Sequence, residues 1–412
     1  MATVRAFKCV RPKEEFVSEI AALPYDVYNR EEACEEVKKQ SMSFLKIDRA
    51  ETQFDDSVNT YDERVYAKAH EILWEMINDK TFITDNQKSY YVYELIMDKR
   101  SQTGIVGCSS IDDYQNNGIK KHENTREEKE LDRINHVNIC NAQTGPIFLA
   151  YRSNQIINEI VENKKKDTPL YDFTASDGVR HIVWSIVEED KVNKIANAFE
   201  TINSIYIADG HHRAASAVKV GLMRRQENPE YNGQEEYNFF LSVLFPDDQL
   251  MIMPYNRVVK DLNGFTKDQL IEKIQESFKV ENLGQAAFSP DEKATFGMYL
   301  ENQWYKLSAK KSIISKDCVD GLDVSLLQNY LLGPVLNIQD PRTDKRIDFI
   351  GGIRGTSELE KRVSEDMKVA FSMYATSITE LFDVADANKL MPPKSTWFEP
   401  KLRSGLFIHT LN

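Results

Sequence analysis

Three observations predict an α/β fold with a mixed sheet for this 412-residue chain. Short apolar, β-favouring runs recur through it, as at Tyr90-Tyr91-Val92-Tyr93 and Ile182-Val183-Trp184. Runs with helical spacing alternate with them, as from Val65 through Ala69 and Ile72 to Met76. The two kinds meet in mid-chain. There Ser204-Ile205-Tyr206-Ile207 stops at Gly210, and beyond it Ala214, Ala217, Val218 and Leu222 fall on one helical face.

The elements follow in order. Ala6-Phe7-Lys8-Cys9-Val10 is strand-like, residues 14–22 and 30–40 are helical, and Phe44-Leu45-Lys46-Ile47-Asp48 alternates like a strand. The spacing predicts a long helix over 61–78, which completes an N-terminal α/β segment of residues 1–85. In the next segment, 86–255, residues 89–97 and 104–109 predict a hairpin around 99–103. A charged helix over 125–140 follows, with Thr125 and Glu128 spaced as a capping box. Strands come at 146–151, 170–173, 181–186 and 237–245, the last stopped by Pro246. The final segment, 256–412, carries a capped amphipathic helix over 266–278 and a helix capped by Asp323 and ended at Gly333-Pro334. Ser357 with Glu360 and Ser377 with Glu380 have capping-box spacing. There is no repeat and no linker, so the three segments are expected to pack as one continuous body.

Composition narrows the function classes. No apolar run approaches membrane-spanning length, and the N-terminus lacks a signal-peptide apolar region. Five scattered cysteines without a C-x-x-C pair fit reduced thiols, and a cytoplasmic setting is expected. The net charge of −13, with no basic stripe, argues against a nucleic-acid partner but leaves room for a small anionic ligand in a local basic pocket.

The strand-to-helix corner Asp209-Gly210-His211-His212-Arg213 is the strongest candidate site. A helix start presents free N–H groups and positive partial charge, which suits phosphate. Arg213 adds a fork of donors, and Asp209 can hold a cation or a hydroxyl. The plain alternative is a capped turn with two surface histidines. A second cluster, Lys121-His122-Glu123, precedes the 125–140 helix; Lys121 and His122 can face phosphate and Glu123 can act as a general base, unless the stretch is a solvated helix start. Asp132-Arg133, one turn on, has the spacing of an exposed pair. A third candidate is the tail Pro392-Pro393-Lys394-Ser395-Thr396, whose lysine and hydroxyls sit on a proline-stiffened loop; docking for stability is the alternative. Walker A, G-x-G-x-x-G, H-E-x-x-H and nucleophile-elbow motifs do not occur. His211 and His212 with Asp209 can ligate zinc only with a distant third ligand, because adjacent histidines point apart.

The corner resembles the nucleotide-binding turn of the ParB and sulfiredoxin-like superfamily. More closely, the chain resembles the family known as domain of unknown function 1015. That likeness is carried by Pro24-Tyr25-Asp26-Val27, Ser43-Phe44-Leu45, Lys121-His122-Glu123, Asp209-Gly210-His211-His212-Arg213, Leu322-Asp323-Val324 and the tail from Met391 to Leu406. The resemblance implies a ParB/sulfiredoxin-like mixed-sheet core with N- and C-terminal α/β elaborations. It also implies kinship with free serine kinases, which phosphorylate L-serine to O-phospho-L-serine. On that footing ATP or ADP with magnesium is the expected donor, and L-serine or a similar hydroxyl compound the acceptor. Gly210, His212, Arg213, Lys121, His122 and Lys394 would bind phosphate, Asp209 the metal, and His211 the transferring group. Glu123 would be the base, and Arg133 or Arg257 would hold the acceptor's carboxylate. A non-catalytic nucleotide-binding regulator and a zinc-dependent hydrolase are the alternatives.

Overall fold

Asp98 and Lys99 take φ of 49° and 67°, the left-handed pair that closes a two-residue hairpin. The strands on either side of this turn begin the main sheet of the computed structural model, which describes residues 2–412. The chain divides into one unit of residues up to Leu250 together with Pro400–Asn412, and a second of Met251–Glu399.

In the first unit the main elements are β1 (Val4–Arg5), α1 (Glu63–Asn78), β2 (Tyr90–Met97), β3 (Arg100–Ser110), β4 (Ile119–Lys120) and α2 (Glu127–Cys140). They continue as β5 (Ile147–Tyr151), β6 (Tyr171–Thr174), β7 (Arg180–Ile186), β8 (Ile205–Asp209), α3 (His211–Glu227) and β9 (Phe239–Pro246). The nine strands form one sheet in the order β4-β8-β5-β9-β3-β2-β7-β6, with β1 added alongside β3. The β4–β8 and β5–β9 pairs are parallel and the rest antiparallel, so the sheet is mixed. The β1 pairing, Val4 with Ser109 and Arg5 with Cys108, brings the start of the N-terminal segment into this sheet.

Central strands β5 and β9 are buried along their whole length, as continuous apolar runs require. Ile105, Leu149, Ile207 and Leu244 pack with Ile157, Ile195 and Phe199 from the helices Gln155–Lys164 and Glu189–Glu200. A second core gathers Val65, Ala69, Leu73 and Met76 of α1 with Phe44, Leu45 and Ile47. Leu45–Asp48 is a helical turn, where alternation had suggested a strand. The reason is that Phe44, Leu45 and Ile47 are all fully buried, so the two-residue period is not a two-faced pattern. α1 starts at the expected place, with the Asp62 side chain accepting from the Arg64 N–H at 3.0 Å.

The second unit holds a six-stranded antiparallel sheet, ordered Phe278–Gly284, Gln303–Ala309, Thr295–Leu300, Val369–Ser372, Tyr255–Val259 and Ile347–Gly351. Thr266 with Gln269 and Ser377 with Glu380 form capping boxes. Ser357 with Glu360 does not, since Ser357 lies inside the helix Gly355–Glu365 and Glu360 accepts from the Trp304 indole at 2.7 Å. Nor does Asp323 cap a helix: it is the first residue of the helix Asp323–Leu327, and its carboxylate accepts from the Ala294 N–H at 3.0 Å. No helix among the described residues is long and apolar enough to cross a membrane.

Candidate functional site

The parallel pairing of β4 with β8 sets Ile119 beside Ile205 and Lys120 beside Tyr206. Parallel strands end at the same edge, so the chain leaving β4 (Lys121, His122, Glu123) runs beside the chain leaving β8 (Asp209 to Arg213). Two sequence candidates some ninety positions apart thereby become one site, of the kind found beyond the carboxyl ends of parallel strands. The His122 and His211 rings meet edge to face with centroids 4.5 Å apart. The Arg126 N–H donates to His212 Nε2 at 2.9 Å.

The corner itself depends on glycine. Gly210 sits at φ +90°, and a Cβ there would lie 3.2 Å from Arg213 Nε. The Arg213 side chain therefore folds back over Gly210, and its Nη1 donates to the Pro146 carbonyl at 2.7 Å. Gly145 flanks it on the other side, where a Cβ would lie 3.4 Å from Arg213 Nη1. α3 runs 17 residues from this point, and its first N–H groups have no preceding turn to accept them.

Asp209 Oδ1 accepts from the Gly210 N–H at 2.7 Å, and Oδ2 pairs with Lys401 Nζ at 2.8 Å. Burial works against its charge, but Lys401 and Arg213 outweigh it and hold the carboxyl well below the usual carboxylate range. Asp209, the expected metal ligand, thus has one of its two carboxylate oxygens engaged by the Lys401 ammonium. Burial lowers all three imidazoles: His122 to about 4, His211 well below its ordinary value, and His212 in the same direction. They are neutral at pH 7 and bring no positive charge to a phosphate. The expectation of two surface histidines fails for His211, which is 6% exposed.

Next to the corner lies a cavity of about 30 Å³ lined by Arg213, Arg133, Tyr25, Asp48 and Ser404. It shares Tyr25, Asp48, Arg133 and His136 with a larger one of about 130 Å³. Arg133 is buried, contrary to the exposed pair expected. Its Nε reaches Asp132 at 3.0 Å and its guanidinium carbon lies 4.1 Å over the Tyr25 ring. Burial, against the pull of Arg133, pushes the Tyr25 phenol up to about 12. Asp48 Oδ1 accepts from Thr144 Oγ1 at 2.8 Å.

The remaining sequence candidates have other settings. Lys121 Nζ lies 4.5 Å over the Tyr114 ring. Thr125 caps no helix, because α2 starts at Glu127 and the Thr125 hydroxyl donates to Glu130 at 2.7 Å. Arg257 and Lys394 belong to the second unit, where Arg257 Nη2 donates to the Lys394 carbonyl at 3.0 Å and burial lowers the guanidinium to about 10. Lys401, Tyr25 and Asp48 were missed as site residues. Nothing in the sequence singles out Lys401, which stands among Glu399, Pro400, Leu402 and Arg403.

The family model described as "Protein of unknown function (DUF1015)" matches residues 4–325. The chain belongs to the DUF1015 family. No curated protein matches it in sequence. Among solved structures it is similar to a mutant free serine kinase in complex with AMP, at 12% identity and a TM-score of 0.37, over 74% of this chain and 92% of that one. A further free serine kinase mutant, in complex with ADP, is 13% identical with a TM-score of 0.37, over 76% of this chain and 95% of that one. SbnI with C-terminal truncation from Staphylococcus aureus is 10% identical with a TM-score of 0.38, over 71% and 82%. At these scores and identities the likenesses assign neither fold nor activity to this DUF1015 member.

Proposed function

We propose that the chain is a small-molecule kinase, transferring the terminal phosphoryl group of ATP or ADP to the hydroxyl of free L-serine or a close analogue to give O-phospho-L-serine. The observation that carries this reading is the placement of Arg213, clasped between Gly145 and Gly210 at the start of a 17-residue helix and lining a cavity that Arg133 also lines. Phosphoryl transfer needs positioning and charge stabilisation more than covalent help, and a helix start with a guanidinium supplies both. The cavity's arginines and the Asp48 carboxylate suit the two charges of a free amino acid, with Arg133 taking the carboxylate and Asp48 the ammonium. Glu123, exposed beside His122 and His211, takes the acceptor's hydroxyl proton. Asp209, tied to the Gly210 N–H and to Lys401, is the carboxylate of this corner that a magnesium ion accompanying the donor would meet. A ParB/sulfiredoxin-like core and a donor accompanied by magnesium are parts of the same proposal.

The test is to incubate the purified chain with ATP or ADP, magnesium and L-serine, and to look for O-phospho-L-serine by phosphorus NMR and mass spectrometry. Product dependent on both substrates is expected. Nucleotide bound with no product from L-serine or related hydroxy amino acids would overturn the kinase reading in favour of a nucleotide-binding regulator.

A further inference from the structure

His122 and His211 are 2% and 6% exposed, and each leaves one ring nitrogen, Nδ1 of His122 and Nε2 of His211, without a hydrogen-bond partner. A buried imidazole nitrogen with nothing to bond is destabilising, and two in contact call for an explanation. Ligand atoms of His122, Glu123 and His211 all lie within 4.8 Å of one another. Around a first-row dication, ligand atoms at about 2.0–2.2 Å from the metal lie roughly 3–4 Å apart, so an inward movement of about 1 Å closes the set. We propose that these three residues form a binding site for a transition-metal dication of the zinc, cobalt or manganese class, held by two imidazoles and one carboxylate with further positions open.

The surroundings agree with the chemistry of such a site. The His122 ring is hydrogen-bonded to the backbone of Ile207, and since Nδ1 is the unpartnered nitrogen, Nε2–H is the donor. A backbone carbonyl behind a ligating histidine fixes its tautomer and turns the other nitrogen's lone pair outward. Two nitrogen donors separate this site from a magnesium site, which prefers oxygen ligands throughout. His211 thus finds the distant third ligand that its neighbour His212 cannot be, since His212 Nε2 already accepts from Arg126. The site rests on the placement of these three residues alone, so it stands whether or not the chain is a kinase.

The test uses the full chain, stripped with chelator and titrated with Co²⁺ in the absence of nucleotide and amino acid, so that its result is independent of the kinase assay. One equivalent per chain is expected, with visible ligand-field absorption. His122→Ala and His211→Ala should weaken binding by about a hundredfold or more, while His70→Ala leaves it unchanged. Unchanged Co²⁺ binding in a folded His211→Ala protein overturns the proposal, as does an absence of stoichiometric binding by the wild type. Should the alanine variants fail to fold, paramagnetic resonance of the Cu²⁺-loaded wild type decides. Splitting from two imidazole nitrogens supports the site, and fewer than two sinks it.

Discussion

Lys401 Nζ lies 2.8 Å from Asp209 Oδ2, so a residue from the last dozen positions of the chain neutralises the carboxylate at the head of α3. The segment that carries Lys401 is held by backbone pairing with the first unit, Ser404 bridging to Ala22 and Ile408 to Val10. The tail therefore reaches the corner through Lys401.

Replacing Lys401 with Met should raise the Asp209 carboxyl toward its ordinary value and lower stability at pH 7 by about 1 kcal/mol, a modest effect because both groups are partly solvated. Asp209 has a depressed folded pKa, so its stabilising effect is complete above about pH 4 and disappears as pH falls through the folded value below that. Thermal melts of wild type and variant at pH 7 and pH 3 check this. The gap between them should narrow at the lower pH, and a constant gap would show that the ion pair does not set the pKa.

Arg213→Ala should leave the melting temperature within a few degrees of wild type and lower phosphoryl transfer roughly a hundredfold or more. Arg213→Lys should not restore it, since an ammonium lacks the fork that reaches Pro146 and an anion together. Normal turnover by either variant in the O-phosphoserine assay removes Arg213 from the phosphate site.

Gly210 and Gly145 both border Arg213 but for different reasons, and alanine separates them. At Gly210, φ of +90° strains any side chain, so Gly210→Ala should cost about 1–3 kcal/mol as well as displacing the guanidinium. At Gly145 the obstacle is the Ser404 hydroxyl at 3.1 Å, a side-chain atom that can rotate. Gly145→Ala should lose activity with a smaller loss of stability. Denaturant melts with activity assays on both variants test the distinction; equal destabilisation would refute it.

How much of this was legible beforehand follows from the range of each interaction. The Asp209–Arg213 corner could be read because its strand, its glycine and its helix face are consecutive in sequence. Its union with His122 and Glu123 could not. It depends on a two-residue parallel pairing, Ile119 with Ile205 and Lys120 with Tyr206, that leaves no local mark. Lys394 drew attention for the stiff prolines before it, yet Lys401, seven positions later, meets Asp209. Only the pairing of Ser404 and Ile408 with the N-terminal segment distinguishes the two. Thr125 and Ser357 had capping-box spacing, but spacing does not say where a helix starts, and both fell off the first position.

Glu123→Gln keeps shape and removes proton affinity, so turnover should fall by about two to four orders of magnitude with nucleotide affinity little changed. Initial rates at saturating substrate, alongside nucleotide titration by calorimetry, check it. Loss of nucleotide affinity with normal turnover at saturation would make Glu123 a binding residue.

Asp323 provides a test in the second unit. Burial pushes its carboxyl up to about 6, against the lowering effect of the Ala294 N–H that it accepts. A carboxyl whose folded pKa lies above its unfolded value of about 3.9 holds its proton more tightly when folded. Its favourable contribution is therefore full below about pH 4 and is lost as pH rises through 6, the reverse of the Asp209 case. At pH 7 the buried charge is a burden. Asp323→Asn keeps an oxygen for the Ala294 N–H and removes that charge, so it should raise stability at pH 7 by roughly 1–3 kcal/mol and change it little at pH 4. Urea melts of both proteins at the two pH values measure this directly. A variant less stable than wild type at pH 7 would mean that the ionised Asp323 carboxylate is a favourable acceptor at the start of its helix, its burial notwithstanding.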